Sequence, residues 1–291
     1  MKPETILRPV AKVWKSQPTL EGAGVHLRRA FGFQEVPNLD PFLLLDAFRS
    51  ENPDDYRAGF PWHPHRGIET ITYMLDGEVE HGDSMGNRGL IAPGDVQWMT
   101  AGSGIIHQEM PKGDRKGQMW GFQLWSNLPR SQKMMDPRYR EVKQAQIPTV
   151  KTPDGASVRV VAGEIGGVRG PVGEIVSDPE FLDVSLPAGK TFTHPVKAGH
   201  TVFAYVSEGE GFFDPANPRA ATTGDTLVLY GAGNTVTVTT DRKPVRFLLV
   251  AGKPLGEPVA WRGPIVMNTQ AELRTAFEEF ERGTFVKHGR H

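Results

Sequence analysis

The chain has no cysteine, which excludes disulfides, thiolate metal sites and cysteine nucleophiles together. It also lacks an excess of either charge: 33 Lys and Arg stand against 34 Asp and Glu, a formal net charge of -1. No basic field is available to hold nucleic acid, so direct nucleic-acid binding is not expected. No apolar run approaches a membrane span, and the start, MKPETILRPVAKVWK, has no apolar signal core. These absences lead to the expectation of a soluble, cytoplasmic protein without membrane contact; a monomer is the default expectation.

What the chain does have is punctuation. Gly (33) and Pro (24) separate short β-rich runs such as GIETITYMLDGEV, GDVQWMTAG, HTVFAYVSEGEG, GDTLVLYG and VRFLLVAG, the pattern of an all-β sandwich or barrel. Helical periodicity appears near the end, where Leu273, Ala276, Phe277 and Phe280 form one stripe behind a Thr269-x-x-Glu272 capping box, with Gly283 as the stop. A polar stretch from Pro129 to Lys143, interrupted by Pro137, reads as a helical or irregular linker between two halves.

The 291 residues suffice for two domains, and the halves look like copies. Gly67 to Gly77 overlays Gly199 to Gly209 with Tyr73 on Tyr205, and Pro93-Gly94-Asp95 then meets Thr223-Gly224-Asp225. The expected fold is two tandem β-barrels with a short C-terminal helix: residues 1–145 and residues 146–291.

The most informative stretch lies between Gly59 and Pro111, where His63 and His65 form one i, i+2 pair and His107 and Glu109 another. On a strand, residues two apart share a face, so each pair offers two ligand atoms to one point. Three imidazoles and a carboxylate suit iron, manganese, copper, nickel or zinc, and on an octahedral ion they leave two positions open. A closed structural zinc site fits less well, since that favours a tetrahedral shell and thiolates. Glu69 competes with Glu109 for the carboxylate role. Along a straight strand it lies roughly 13 Å from His65 and needs a bend at Arg66-Gly67, whereas Glu109 is two residues from His107 and on its face. Arg66 and Glu69 are read as a supporting or structural ion pair.

In the overlay all four ligand positions are replaced, by Pro195, Lys197, Thr237 and Thr239, so the second half is expected to be metal-free. Carrying strand parity forward from His63 and His65 places Ile71, Tyr73 and Leu75 in the pocket. Trp98, Trp120 and Trp125 are read as core, and His26, His81, His194, His200, His288 and His291 as ordinary structural or surface histidines.

The segment GFPWHPHRGIETITYMLDGEVEHGDSMGNRGLIAPGDVQWMTAGSGIIHQEMP resembles the diagnostic region of the pirins, bicupin members of the cupin superfamily. The resemblance extends through DPFLLLDAF, QLWSNLP, KMMDPRYREV and GPIVMNTQAEL. It implies one metal per chain, Fe(II) or a substitute such as Mn, Cu, Ni, Co or Zn, held by His63, His65, His107 and Glu109, and so decides for Glu109. It further implies a metal-free C-terminal cupin and quercetin 2,3-dioxygenase activity. In that reaction O2 opens a flavonol ring with loss of carbon monoxide, and Glu109 is the catalytic base. Pirins are also described as metal-dependent, redox-sensing regulators acting through protein partners, which is the alternative reading.

Overall fold

The computed structural model describes residues 4–32 and 39–288. Strands dominate, with one α-helix, Gln270–Glu281, among the described residues. His291 lies outside the described residues, and no described helix is long and apolar enough to cross a membrane.

The chain divides into two compact units: residues 18–144 with 255–291, and residues 1–17 with 145–254. One division falls between Gln144 and Ala145, and each unit also takes a segment from the opposite end of the chain. The reason is strand pairing at one end and apolar packing at the other. Val10–Lys15 pairs with Thr226–Tyr230, while Ile265, Met267, Leu273, Ala276 and Phe285 pack in one cluster with Ile106.

In the 18–144 unit a seven-stranded sheet runs in the order Arg138–Val142, Val96–Thr100, Ile68–Asp76, Met119–Asn127, Phe42–Ser50, Val25–Phe31, Gln17–Glu21. A four-stranded sheet has the order Phe60–His65, Ile105–Lys112, Glu78–Asp83, Arg88–Ile91. The 145–254 unit repeats that order. Val10–Lys15, Thr226–Tyr230, Thr201–Phe212, Val245–Gly252, Glu180–Leu186, Ser157–Ala162 and Thr149–Lys151 form the larger set. Thr191–Pro195, Thr235–Thr239, the end of Thr201–Phe212, and Ala221–Thr223 form the smaller. Both units are cupin-type, and each is built almost wholly of antiparallel strands.

Pro129–Lys143 is not a linker. After a short 3-10 turn at Arg130–Gln132 it becomes the strand Arg138–Val142, paired along Val96–Thr100. Pro137 forbids a continuing helix, and the exposed edge of Val96–Thr100 takes the extended chain that follows. The C-terminal helix has its capping box, with the Thr269 side chain accepting from the Glu272 N–H and Glu272 accepting from the Thr269 N–H. Leu273 and Ala276 are buried beneath it, and Phe280 is left 39% exposed at its end.

The strand through the histidines is not continuous either. Phe60–His65 belongs to the four-stranded sheet and Ile68–Asp76 to the larger one, with a break at Gly67, whose φ is 77°. Parity is therefore not carried across. Thr72 and Met74 face the interior, where Met74 packs with Val25, Leu27, Phe48 and Met119. Ile71 and Tyr73 alternate onto the other face, Tyr73 stacking on Phe122 at 6.4 Å, and Leu75 is partly exposed. The expected pocket role of these three residues is thereby corrected.

Candidate metal centre

His63 stands opposite His107 across the antiparallel pair, and His65 opposite Ile105. Alternation then sends His63, His65 and His107 to one side, where their donor nitrogens all lie within 4.8 Å of one another. The ring centroids are 4.4 to 5.0 Å apart. The Nδ1 of His63 lies 2.8 Å from the Pro61 carbonyl, and that of His65 lies 3.1 Å from the Pro264 carbonyl. A carbonyl only accepts, so both rings carry their proton on Nδ1 and present an Nε2 lone pair inward. Those two Nε2 atoms are 3.1 Å apart. Two lone pairs at that distance repel unless a cation or a proton lies between them.

His107 completes the case. It is 1% exposed, yet among the described residues neither ring nitrogen has a hydrogen-bond partner. Buried polar nitrogens without partners cost free energy, and a cation shared with His63 and His65 satisfies one of them. Burial, and then the neighbouring histidines, hold His65 and His107 well below the ordinary imidazole range. Both are neutral, as ligands must be. The residues fit a divalent metal.

Glu109 is buried two positions beyond His107, past a register shift in the pairing with Phe60–His65. It is not part of the tight three-histidine group. Its Oε1 accepts from the Thr72 hydroxyl at 3.1 Å and its Oε2 from the Gln123 amide at 3.1 Å. Glu69 lies at an alternate position to Thr72, on the other face of the sheet. It accepts from Thr100 at 2.7 Å, and burial pushes its carboxyl up. The expected Arg66–Glu69 pair does not form, because three residues along extended backbone point opposite ways. Arg66 instead pairs with Glu279 at 2.7 Å and donates to the Phe285 carbonyl at 2.9 Å.

Arg66 and Gly67, which follow His65 directly, are thus tied to the C-terminal segment. A Cβ on Gly67 would fall 2.0 Å from the Val266 carbonyl oxygen. The fully buried Lys133 donates to the carbonyls of Gly67 and Val266 and to Asn127 Oδ1, and burial pushes its ammonium down to about 8. Sequence reasoning missed Lys133, Pro264, Thr72 and Gln123. No local pattern marks them, since each acts through a partner far along the chain.

A cavity of 330 Å³ opens beside the cluster, lined by His63, His65, Trp125, Leu44, Phe60 and Pro264 and by Glu21, Arg29, Asp46 and Gln123. Trp125, expected as core, is buried but also meets His65 edge-on at 5.0 Å. Gln123 and Phe60 line a second void of only 20 Å³ that reaches Glu109, so Gln123 separates the carboxylate from the larger cavity.

The 145–254 unit places different side chains at the matching points. Phe192 pairs with Val238 and His194 with Val236, as His63 pairs with His107 and His65 with Ile105. Phe192, Val236 and Val238 belong to the apolar core. The overlay on Pro195, Lys197, Thr237 and Thr239 is therefore corrected: these residues are partly or fully exposed. The connection before Gly199 is longer than that before Gly67, and one extra residue separates Asp225 from its strand position. His194 alone is retained, bonded through Nε2 to Glu180 at 2.8 Å.

Comparisons with known proteins agree with this architecture. The Pirin family model matches residues 24–126, and the model of the pirin C-terminal cupin domain matches residues 181–286. A pirin-like protein of Caulobacter vibrioides is 47% identical over 285 residues, covering 96% of this chain and 99% of the relative. Mouse pirin is 41% identical over 268 residues, covering 91% and 89%. The crystal structure of a quercetin 2,3-dioxygenase from Acinetobacter baumannii superposes with a TM-score of 0.87 at 33% identity, covering 96% of this chain and 98% of that one.

Proposed function

The chain belongs to the pirin family, and from that premise we propose that it is a metal-dependent dioxygenase opening flavonols such as quercetin with O2 and releasing carbon monoxide. The observation that carries the reading is the His63–His65–His107 cluster, with its facing lone pairs and orphaned buried nitrogens, at the wall of a 330 Å³ cavity. The superposable quercetin 2,3-dioxygenase from Acinetobacter baumannii supports the substrate class.

The three histidines, with Glu109 as fourth ligand, would hold one divalent ion, most simply Fe(II). Bound there, the ion supplies Lewis acidity that makes a phenolic hydroxyl easier to ionise. The remaining work belongs to the chain. The Pro61 and Pro264 carbonyls fix the tautomers of His63 and His65, so each offers Nε2. Glu109 accepts the flavonol hydroxyl proton, held in place by Thr72 and Gln123. Gln123 stands between Glu109 and the ligand cavity and its amide carries no transferable proton, so its side chain must swing aside for the hydroxyl to reach the carboxylate. Trp125, Leu44 and Phe60 wall the planar rings and exclude water.

The test follows loss of flavonol absorbance together with carbon monoxide for metal-loaded wild type, His65→Ala and metal-stripped protein. Turnover confined to the loaded wild type is expected. Equal slow decay in all three is background autoxidation and overturns the reading, leaving a partner-binding, redox-sensing role as the better one.

A further inference from the structure

We propose that Glu21, Arg29 and Asp46 form the selecting wall of the cavity beside the histidines, favouring planar aromatic ligands whose pendant ring carries a hydroxyl and rejecting those that carry a carboxylate there. The proposal deepens the dioxygenase reading and rests on it for the identity of the flavonol core.

Its basis is a row of buried polar side chains crossing the large sheet. Gln97 pairs with Thr72, Thr72 with Gln123, Gln123 with Asp46, and Asp46 with Arg29. All but Gln123, which is partly buried, are under 9% exposed. The 145–254 unit has the same row on the same strands, filled by Val228, Ala204, Leu249, Leu182 and Val160, all in its apolar core. The fold therefore does not require polarity at these positions. Buried charge is costly to a core, and an apolar row would serve stability as well or better. Three members of the polar row, Gln123, Asp46 and Arg29, line the cavity, and Glu21 lines it beside them.

The charges decide what the wall accepts. Arg29 binds Asp46 through two bonds, at 2.9 and 2.7 Å, and its third nitrogen meets Glu21 at 2.8 Å. One guanidinium between two ionised carboxylates leaves a net charge of minus one. Burial pushes the Asp46 carboxyl up to about 6, so above that pH the trio presents acceptor oxygens. A ligand hydroxyl donates to such oxygens, whereas a ligand carboxylate is repelled by them. Glu21 is the accessible member, its side chain 37% exposed, so a neutral replacement there is tolerated by the fold.

The experiment uses metal-loaded protein without O2, so that no turnover occurs, and reads quenching of tryptophan fluorescence well above the Asp46 value. The probes are a flavonol with a para-hydroxyl on its pendant ring and the same flavonol with a para-carboxylate. Wild type should bind the hydroxyl form at least about tenfold more tightly, and Glu21→Gln should reduce the preference to about twofold or less. Circular dichroism verifies that the variant is folded. A ratio near one in wild type, no binding of either probe, or a ratio unchanged in Glu21→Gln overturns the proposal. If the ratio behaves as expected but O2 yields no carbon monoxide, the dioxygenase reading fails while the selecting wall stands.

Discussion

The two units share a strand order and differ in what they place inside it. In one, three histidines meet at a point and a polar row crosses the sheet; in the other, Phe192, Val238 and a row of aliphatic side chains fill the matching positions. The strand framework accommodates either choice, although each buried aliphatic or aromatic side chain contributes about 1.5–3 kcal/mol of burial. The polar unit forgoes part of that burial, and its interior polarity is best explained by what it binds. Chemistry on a cupin-type frame thus depends on a handful of interior positions.

The largest effect should come from making the first unit resemble the second. His107→Val copies Val238 and removes one of three converging imidazoles, so metal content should fall from one per chain to near zero, with turnover at background. Elemental analysis checks it. The reverse change, Val238→His, should recruit no metal, because Phe192 offers no donor atom beside it.

A second comparison uses the two matching glycines. Gly67 and Gly199 have nearly equal φ, 77° and 78°, but a Cβ on Gly67 would meet the Val266 oxygen at 2.0 Å while one on Gly199 meets nothing within 4 Å among the described residues. Gly199→Ala should cost about 1 kcal/mol, the left-handed strain alone, and Gly67→Ala about 3 kcal/mol or more, since backbone must move. Chemical denaturation separates the two. Equal losses would mean that the contact with Val266 does not hold the kink behind His65.

Within the first unit, the two carboxylates make a smaller contrast. Glu109→Gln should weaken metal binding or turnover by about tenfold or more, and Glu69→Gln by less, because Glu69 lies on the opposite face and is held by Thr100. Competition with a chelator measures the affinities. A Glu69 variant that loses metal while the Glu109 variant keeps both metal and turnover would reverse the assigned roles.

A last contrast is the pH dependence of the metal-free chain. His65 and His107 are held below their ordinary value in the folded state, so below about pH 6.5 the unfolded chain binds more protons than the folded one. Stability should therefore be fully present above that pH and fall beneath it, by about 1.4 kcal/mol per pH unit for each histidine. In His107→Val the slope should lose one such contribution. An unchanged slope would show that His107 is not buried neutral.

The sequence alone carried the paired histidines, the duplicated halves, the helix with its capping box and the family, because these are written in local spacing. The glycine landmarks also aligned the halves correctly at Gly67 and Gly199. Local spacing could not show the break after His65, so parity put Ile71 and Tyr73 in the wrong place. Nor could it show the longer connection before Gly199, which shifted the matching positions from Phe192 and Val238 to Pro195 and Thr237. Lys133, Pro264 and the row from Gln97 to Arg29 depend on residues distant in the chain, and only the folded sheet brings them together.

The most direct test of the contrast between the units is anomalous X-ray scattering at the metal edge from crystals of the metal-loaded protein. A single peak per chain between His63, His65 and His107, and none beside His194, is the predicted result. A peak in the 145–254 unit, or none near the three histidines, would contradict the account.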